Sequence, residues 1–115
     1  MAWALRRRSP QIQPPQLHVG NFSLNYGTHS VTCQTVGGEQ VIPLTIKEFQ
    51  LLEYFMKHPN QIVNREQIMS QLWEVGEDPI SNVVAAQIRL LRRKLGEKSS
   101  VSIETIYGVG YRFNV

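Results

Sequence analysis

The stretch SNVVAAQIRLLRRKL, residues 81–95, holds four cations and no anion, and its apolar residues return at helical spacing. On a helix turning about 100° per residue, Val84, Ile88, Leu91 and Leu95 share one narrow stripe. The spacing therefore predicts a helix from Ser81 to Leu95, buried on that side and closed by Gly96. Asn82, Ala86, Arg89 and Arg93 lie opposite, flanked by Ala85 on one side and by Val83 and Leu90 on the other. Solvated helix faces usually mix both signs and place acid–base pairs four residues apart. This face is small, apolar or cationic instead. Such a helix either stands in solvent with a basic face or lies against a polyanion, and the stretch alone leaves both open.

The distribution of charge favours the polyanion. The formal net charge is only +3, but it is unevenly placed. Arg6, Arg7 and Arg8 make residues 1–16 basic; residues 17–80 carry three bases and seven acids; residues 81–115 carry six bases and two acids. An asymmetry of this kind orients a protein toward nucleic acid. At 115 residues the chain is long enough for one core without staples. A single cysteine, Cys33, excludes an internal disulfide and a multi-cysteine zinc site, and its β-like surroundings suit a buried structural thiol. No apolar run approaches a membrane span, and the start MAWALRRRSP lacks the apolar centre of a signal peptide, so a cytoplasmic protein is expected.

Residues 1–16 read as the tail of an amphipathic helix followed by a proline-rich linker, as if cut from a longer protein. From Leu17 the pattern turns to strands. Leu17, Val19, Phe22, Leu24 and Tyr26 alternate around a bulge or turn at Gly20–Asn21, and Gly37–Gly38 suits a hairpin between HSVTCQTV and EQVIPL. Two capped helices follow. Thr45 with Glu48, and Asn64 with Gln67, have the spacing of capping boxes. Phe49, Leu52, Phe55 and Met56 form the first buried stripe, stopped by Pro59, and Ile68 and Leu72 form the second. The end of the chain, VSIETIYGVGYRFNV, alternates on both sides of YGVG and reads as a closing hairpin.

Two capped helices, a loop and a third, basic helix have the helix-turn-helix layout, in which the last helix occupies the major groove of DNA. That groove is about 12 Å wide and admits one helix, so small outward residues are what close approach requires. A glycine-tipped hairpin after the helix would be a wing beside it. Residues 17–115 resemble the winged-helix output domain of OmpR/PhoB-type response regulators. The resemblance is carried by LTIKEFQLLEYFMKHPNQIVNREQI, QIRLLRRKL and IETIYGVGYRF, in the family's order and spacing. It implies an α+β winged helix-turn-helix with an N-terminal four-stranded antiparallel sheet, three helices and a C-terminal β-hairpin wing. It also implies a receiver domain ahead of the linker, phosphorylated through a histidine kinase, and pairing on direct-repeat DNA half-sites.

Carried over position by position, the resemblance makes Arg65, at the start of the second helix, a contact to the DNA backbone, a role suited to a helix N-terminus. Trp73 either lies against sugar-phosphate or plugs the core edge. Arg89 and Arg92 match arginines that meet phosphates or base edges, and Arg92 is also placed to pair with Glu48. Arg93 faces outward, and Lys94 adds a fifth cation. With five phosphates neutralised, log affinity would fall against log salt with a slope of roughly −4 to −5. Thr105 and Tyr111 match positions near the backbone, although Tyr111 also suits the core.

Departures from the family pattern redirect the specificity. Relatives often begin the third helix with arginine and carry aspartate where Ala85 stands; here Asn82 and Ala85 occupy those positions. Leu90 stands where relatives place a base-reading arginine. Val83, Ala86 and Leu90 then form an apolar strip able to meet thymine methyls, with Asn82 or Arg89 supplying hydrogen bonds and Arg93 a further contact at the bases. At the wing tip the usual arginine is replaced by Tyr107, ahead of Gly108, Val109 and Gly110, which removes the cation that would read a narrow minor groove.

Glu74, Glu77 and Asp78 fall in the loop before the third helix, which in the family can contact RNA polymerase. Enzyme readings find no support. His18, His29 and His58 have no metal-ligand spacing, and Cys33 has no nucleophile signature, so neither catalysis nor a cofactor is expected. Two other uses of the same fold stay open: a winged helix that docks a protein, and a sequence-independent DNA binder.

Overall fold

A computed structural model of the chain describes residues 15–35, 37–73, 82–96 and 102–115. Four short strands, β1 (Gln16–Val19), β2 (Phe22–Asn25), β3 (Ser30–Thr35) and β4 (Gly38–Pro43), form an antiparallel sheet in chain order. Gly20–Asn21 makes a two-residue turn, since Val19 pairs with Phe22, and Gly20 adopts φ 58°. The β3–β4 turn is displaced by one residue from the glycine pair. Thr35 pairs with Gly38, so Gly38 already belongs to β4. One face of the sheet is apolar, with Phe22, Leu24, Val31, Cys33 and Ile42 buried. Burial pushes the Cys33 thiol up to about 11, in keeping with a structural role.

Three helices follow: α1 (Ile46–Lys57), α2 (Arg65–Leu72) and α3 (Val83–Leu95). Both capping boxes form. Thr45 Oγ1 accepts from the Glu48 amide while Glu48 Oε1 accepts from the Thr45 amide, and Asn64 and Gln67 exchange the same pair of bonds at 2.8 Å each. All four stripe residues of α3 are buried, as their spacing predicts, and α1 buries Leu51 and Glu48 beside its expected stripe. Strand β5 (Ile62–Val63) precedes α2, and strands β6 (Ser102–Ile106) and β7 (Gly110–Asn114) form the closing hairpin.

The second sheet has the order β5-β7-β6, with Ile62 opposite Arg112 and Val63 opposite Tyr111. Strand β5 is absent from the sequence reading, because two residues carry no period; only pairing with a strand about fifty residues away defines it. Gly110 permits that pairing. A Cβ there would lie 2.8 Å from the Asn64 Cα and closer still to the Val63 carbonyl. Phe113 joins the two sheets across the helices, with its ring 5.9 Å from Phe22 and 6.2 Å from Phe55. The architecture is thus the four-stranded sheet, three helices and C-terminal wing expected of the chain.

Glu48 is the one charged residue among the described residues that is buried, at 2% exposure. Lys94 Nζ, from the last turn of α3, donates to its Oε1 at 2.5 Å. Burial works to raise the Glu48 carboxyl, but hydrogen bonds from Lys94 and Thr45 outweigh it and hold the group below its ordinary value of 4.5. Its stabilisation is therefore complete above that value and is lost as pH falls through the lower, folded one. Glu48→Gln is expected to cost about 2 kcal/mol in urea denaturation at neutral pH. The loss of wild-type stability in acid, below the ordinary glutamate range, should be shallower in that variant. An unchanged acid profile would show that the carboxylate does not hold α1 to α3.

Candidate nucleic-acid interface

Because Val84, Ile88, Leu91 and Leu95 bury one side of α3, the opposite side is presented outward by the helix geometry alone. Asn82, Arg89, Leu90 and Arg93 are exposed there, Ala85 is exposed on the flank opposite Leu90, and Ala86 is half-buried. Leu90 is 41% exposed, a large apolar side chain left in the open. Asn82 sits at the N-cap yet makes no side-chain capping bond, so its amide is uncommitted to the helix. No carboxylate pairs with Arg89 or Arg93 among the described residues. The cations lie along the centre of the face, with small or apolar residues on its flanks.

Several expected contact residues are engaged inside the protein. Val83 is half-buried and packs against the core, so the outward apolar strip narrows to Ala86 and Leu90. Arg92 does not pair with Glu48; that carboxylate is taken by Lys94, and Arg92 donates instead from Nε to the Ile103 carbonyl at 2.8 Å and from Nη2 to Thr105 Oγ1 at 2.7 Å. The reason is register. Position 94 is the one in the last turn of α3 that reaches the N-terminus of α1, while position 92 turns toward β6. Lys94 is thus the ion-pair partner of a buried carboxylate although its side chain is 36% exposed, and its ammonium is not a free cation. Tyr111 is half-buried against the core.

The second helix contributes its N-terminus. Arg65, the first residue of α2, is 44% exposed at its side chain and 4.0 Å from the Glu66 carboxylate. Asn64, Arg65 and Glu66 border a cleft whose other wall is the wing, at Thr105, Tyr107 and Gly110. The tip of the wing projects furthest: Tyr107 is 90% exposed and Val109 56%. Gly108 takes φ 79° between them, and the Val109 amide closes the turn on the Ile106 carbonyl at 3.0 Å. Glu74, Glu77 and Asp78 lie outside the described residues.

Two residues passed over in the sequence matter here. Gln87 is half-buried on α3 next to the buried stripe, and its amide oxygen has no hydrogen-bond partner among the described residues. Lys47 is the other. Its ammonium lies 4.9 Å from the centre of the Trp73 ring and donates to the Leu72 carbonyl, so it caps the C-terminus of α2 and covers the tryptophan. Trp73, half-buried against the core, is therefore held on the protein by both its packing and a cation. Neither role has a local sequence signal, because Lys47 reaches a helix end some twenty-five positions away.

Among the described residues no group of three or more His, Cys, Asp or Glu could hold a metal ion, and no helix is long and apolar enough to cross a membrane. An outward helix carrying exposed arginines, flanked by a helix N-terminus and a projecting hairpin, defines a winged-helix DNA-reading domain. The family described as "Transcriptional regulatory protein, C terminal" matches residues 38–113. The response regulator RppA of Synechocystis sp. is 47% identical over 117 residues, covering 97% of this chain and 50% of RppA. The phosphate regulon transcriptional regulatory protein PhoB of Shigella flexneri is 32% identical over 111 residues, covering 96% and 47%. The DNA-binding domain of Klebsiella pneumoniae RstA, solved in complex with the RstA box, superposes with a TM-score of 0.67 at 25% identity, over 86% of this chain and 96% of that one. The chain belongs to this family, as a DNA-binding output domain of the OmpR/PhoB response-regulator type, and it spans about half the length of the two relatives.

Lys47→Ala should lower stability by about 1 kcal/mol in urea denaturation, from the lost helix cap and the lost cation over Trp73. Tryptophan fluorescence should shift as the ring becomes accessible. No change in either would detach Lys47 from the end of α2.

Proposed function

We propose that this domain reads a specific duplex DNA sequence for a two-component transcription regulator, with α3 in the major groove and the β6–β7 hairpin as a wing on the flanking backbone. The observation that carries the reading is the outward face of α3, where Arg89 and Arg93 stand beside small and apolar residues and have no anionic partner among the described residues. Arg89 and Arg93 on α3, with Arg65 at the N-terminus of α2, supply the cations to phosphate. Asn82, Arg89 and Arg93 donate hydrogen bonds at base edges, and Leu90 with Ala86 meets thymine methyls. Tyr107, Gly108 and Val109 bring an uncharged wing tip to the backbone. Thr105, Tyr111 and Trp73 act behind these contacts, as supports.

The partners of the whole protein follow from the same reading. A receiver domain ahead of residue 17, a histidine kinase acting on it and pairing of two copies on direct-repeat half-sites complete the regulator. The acidic residues Glu74, Glu77 and Asp78 suit a protein partner such as RNA polymerase, since DNA would repel them. The working compartment is the cytoplasm.

Selection of a random duplex library by this domain at about physiological salt, with sequencing of the bound pool, tests the reading. A tandem motif containing thymine is expected. With Arg92 and Lys94 engaged internally, about three phosphates are neutralised, so log affinity should fall against log salt with a slope of roughly −3. Arg89→Ala should reduce that slope by about 1. A flat salt dependence would instead make the exposed strip of Leu90, Tyr107 and Val109 a protein-docking surface, and binding without enrichment would leave a sequence-independent binder.

Leu90→Ala tests the methyl contact separately. The variant should lose discrimination between thymine and uracil at one position of the selected site while keeping its salt slope. Equal preference in wild type and variant would remove Leu90 from base reading.

A further inference from the structure

Among the described strands β6 is the edge of the second sheet, hydrogen-bonded to β7 alone. Its other side faces α3, and the polar link described across that gap is Arg92. The guanidinium reaches β6 at two places two residues apart, the Ile103 carbonyl and the Thr105 hydroxyl, at 2.8 and 2.7 Å. A planar fork of donors spans both acceptors at once in a fixed geometry, which the rotatable donors of an ammonium do not preset. The Arg92 carbonyl meanwhile accepts the Gly96 amide at 3.1 Å and closes the C-terminus of α3. One residue thus finishes the helix with its backbone and holds the wing with its side chain.

Thr105 lies only two residues before Tyr107, which is 90% exposed at the wing tip. Whatever fixes Thr105 fixes the distance between the tip and the outward face of α3. We propose that Arg92 is a positioning residue, which sets the spacing at which helix and wing meet DNA, and that it neutralises no phosphate itself. The proposal rests on the DNA reading above. It reassigns a cation of the basic helix from affinity to register: base contacts by α3 and backbone contacts by the wing are made together because the two elements are tied before DNA arrives.

The test uses the duplex selected by the wild-type domain. Arg92→Gln removes the charge and the fork, and Thr105→Val removes one acceptor while leaving Arg92 intact. Both variants are expected to lose hydroxyl-radical protection of the nucleotides under the wing, to keep protection under α3, and to bind about tenfold more weakly. The salt slope of Arg92→Gln should equal that of wild type, and the double variant should be no weaker than Arg92→Gln alone. Thr105→Ser, which restores the hydroxyl, should recover the wing footprint. A slope reduced by about 1 in Arg92→Gln, with the wing footprint intact, would overturn the proposal and make Arg92 a phosphate contact. Should Arg92→Gln fail to fold, Thr105→Val decides: an undisturbed wing footprint overturns the proposal. Failure of wild type to bind any duplex would overturn the DNA reading instead. In that case amide exchange in the free domain still judges the tether, since unchanged protection of residues 103–113 in Thr105→Val would overturn it.

Discussion

A carboxylate buried at 2% exposure is the constraint around which the helices are arranged. Glu48 closes the capping box of α1 and receives Lys94 from the far end of α3, so one group serves the start of one helix and the end of another. A charge in that place is tolerable only with its hydrogen bonds made, because an unpaired buried ion is costly. The fold therefore admits few rotations or slides of α3 along α1. The apolar stripe of α3 sets which side is inward; the ion pair sets how far along.

That constraint also decides which cations are available to a ligand. The four bases of α3 look alike in composition, yet the structure divides them evenly. Lys94 answers Glu48 and Arg92 holds β6, while Arg89 and Arg93 stand outward. An affinity estimate that counts charge along the helix would overstate the phosphate contacts by about a factor of two. The same division explains the shape of the face: where a base is withdrawn, small or apolar residues remain, and specificity shifts from charge toward shape and methyl contact.

The wing shows how a distant pairing completes a local motif. Alternation around YGVG is enough for a hairpin, but a two-stranded hairpin alone is marginal in water. Its place comes from β5, from Phe113 between Phe22 and Phe55, and from the Arg92 fork on β6. Gly110 is small because the backbone of Val63 and Asn64 passes where a side chain would be. The hairpin is thereby joined to the rest of the domain at three points and presents Tyr107 and Val109 at its free end.

Local pattern determined the elements. Capping boxes at Thr45 and Asn64, the stripe Val84–Ile88–Leu91–Leu95, and the alternation of both β regions follow from contacts within a few residues, so they are legible in order along the chain. The outward set Asn82, Arg89, Leu90 and Arg93 was legible for the same reason, as the complement of the buried stripe. Tertiary structure alone decided the rest: that β5 exists, that Lys94 and not Arg92 meets Glu48, that Lys47 caps α2 over Trp73, and that Val83 turns inward. Each depends on where a side chain ends after the chain has folded back over twenty residues or more, or on which flank of a helix a neighbour covers. Periodicity fixes a direction around one helix axis, but the identity of the partner waiting there is set only by packing.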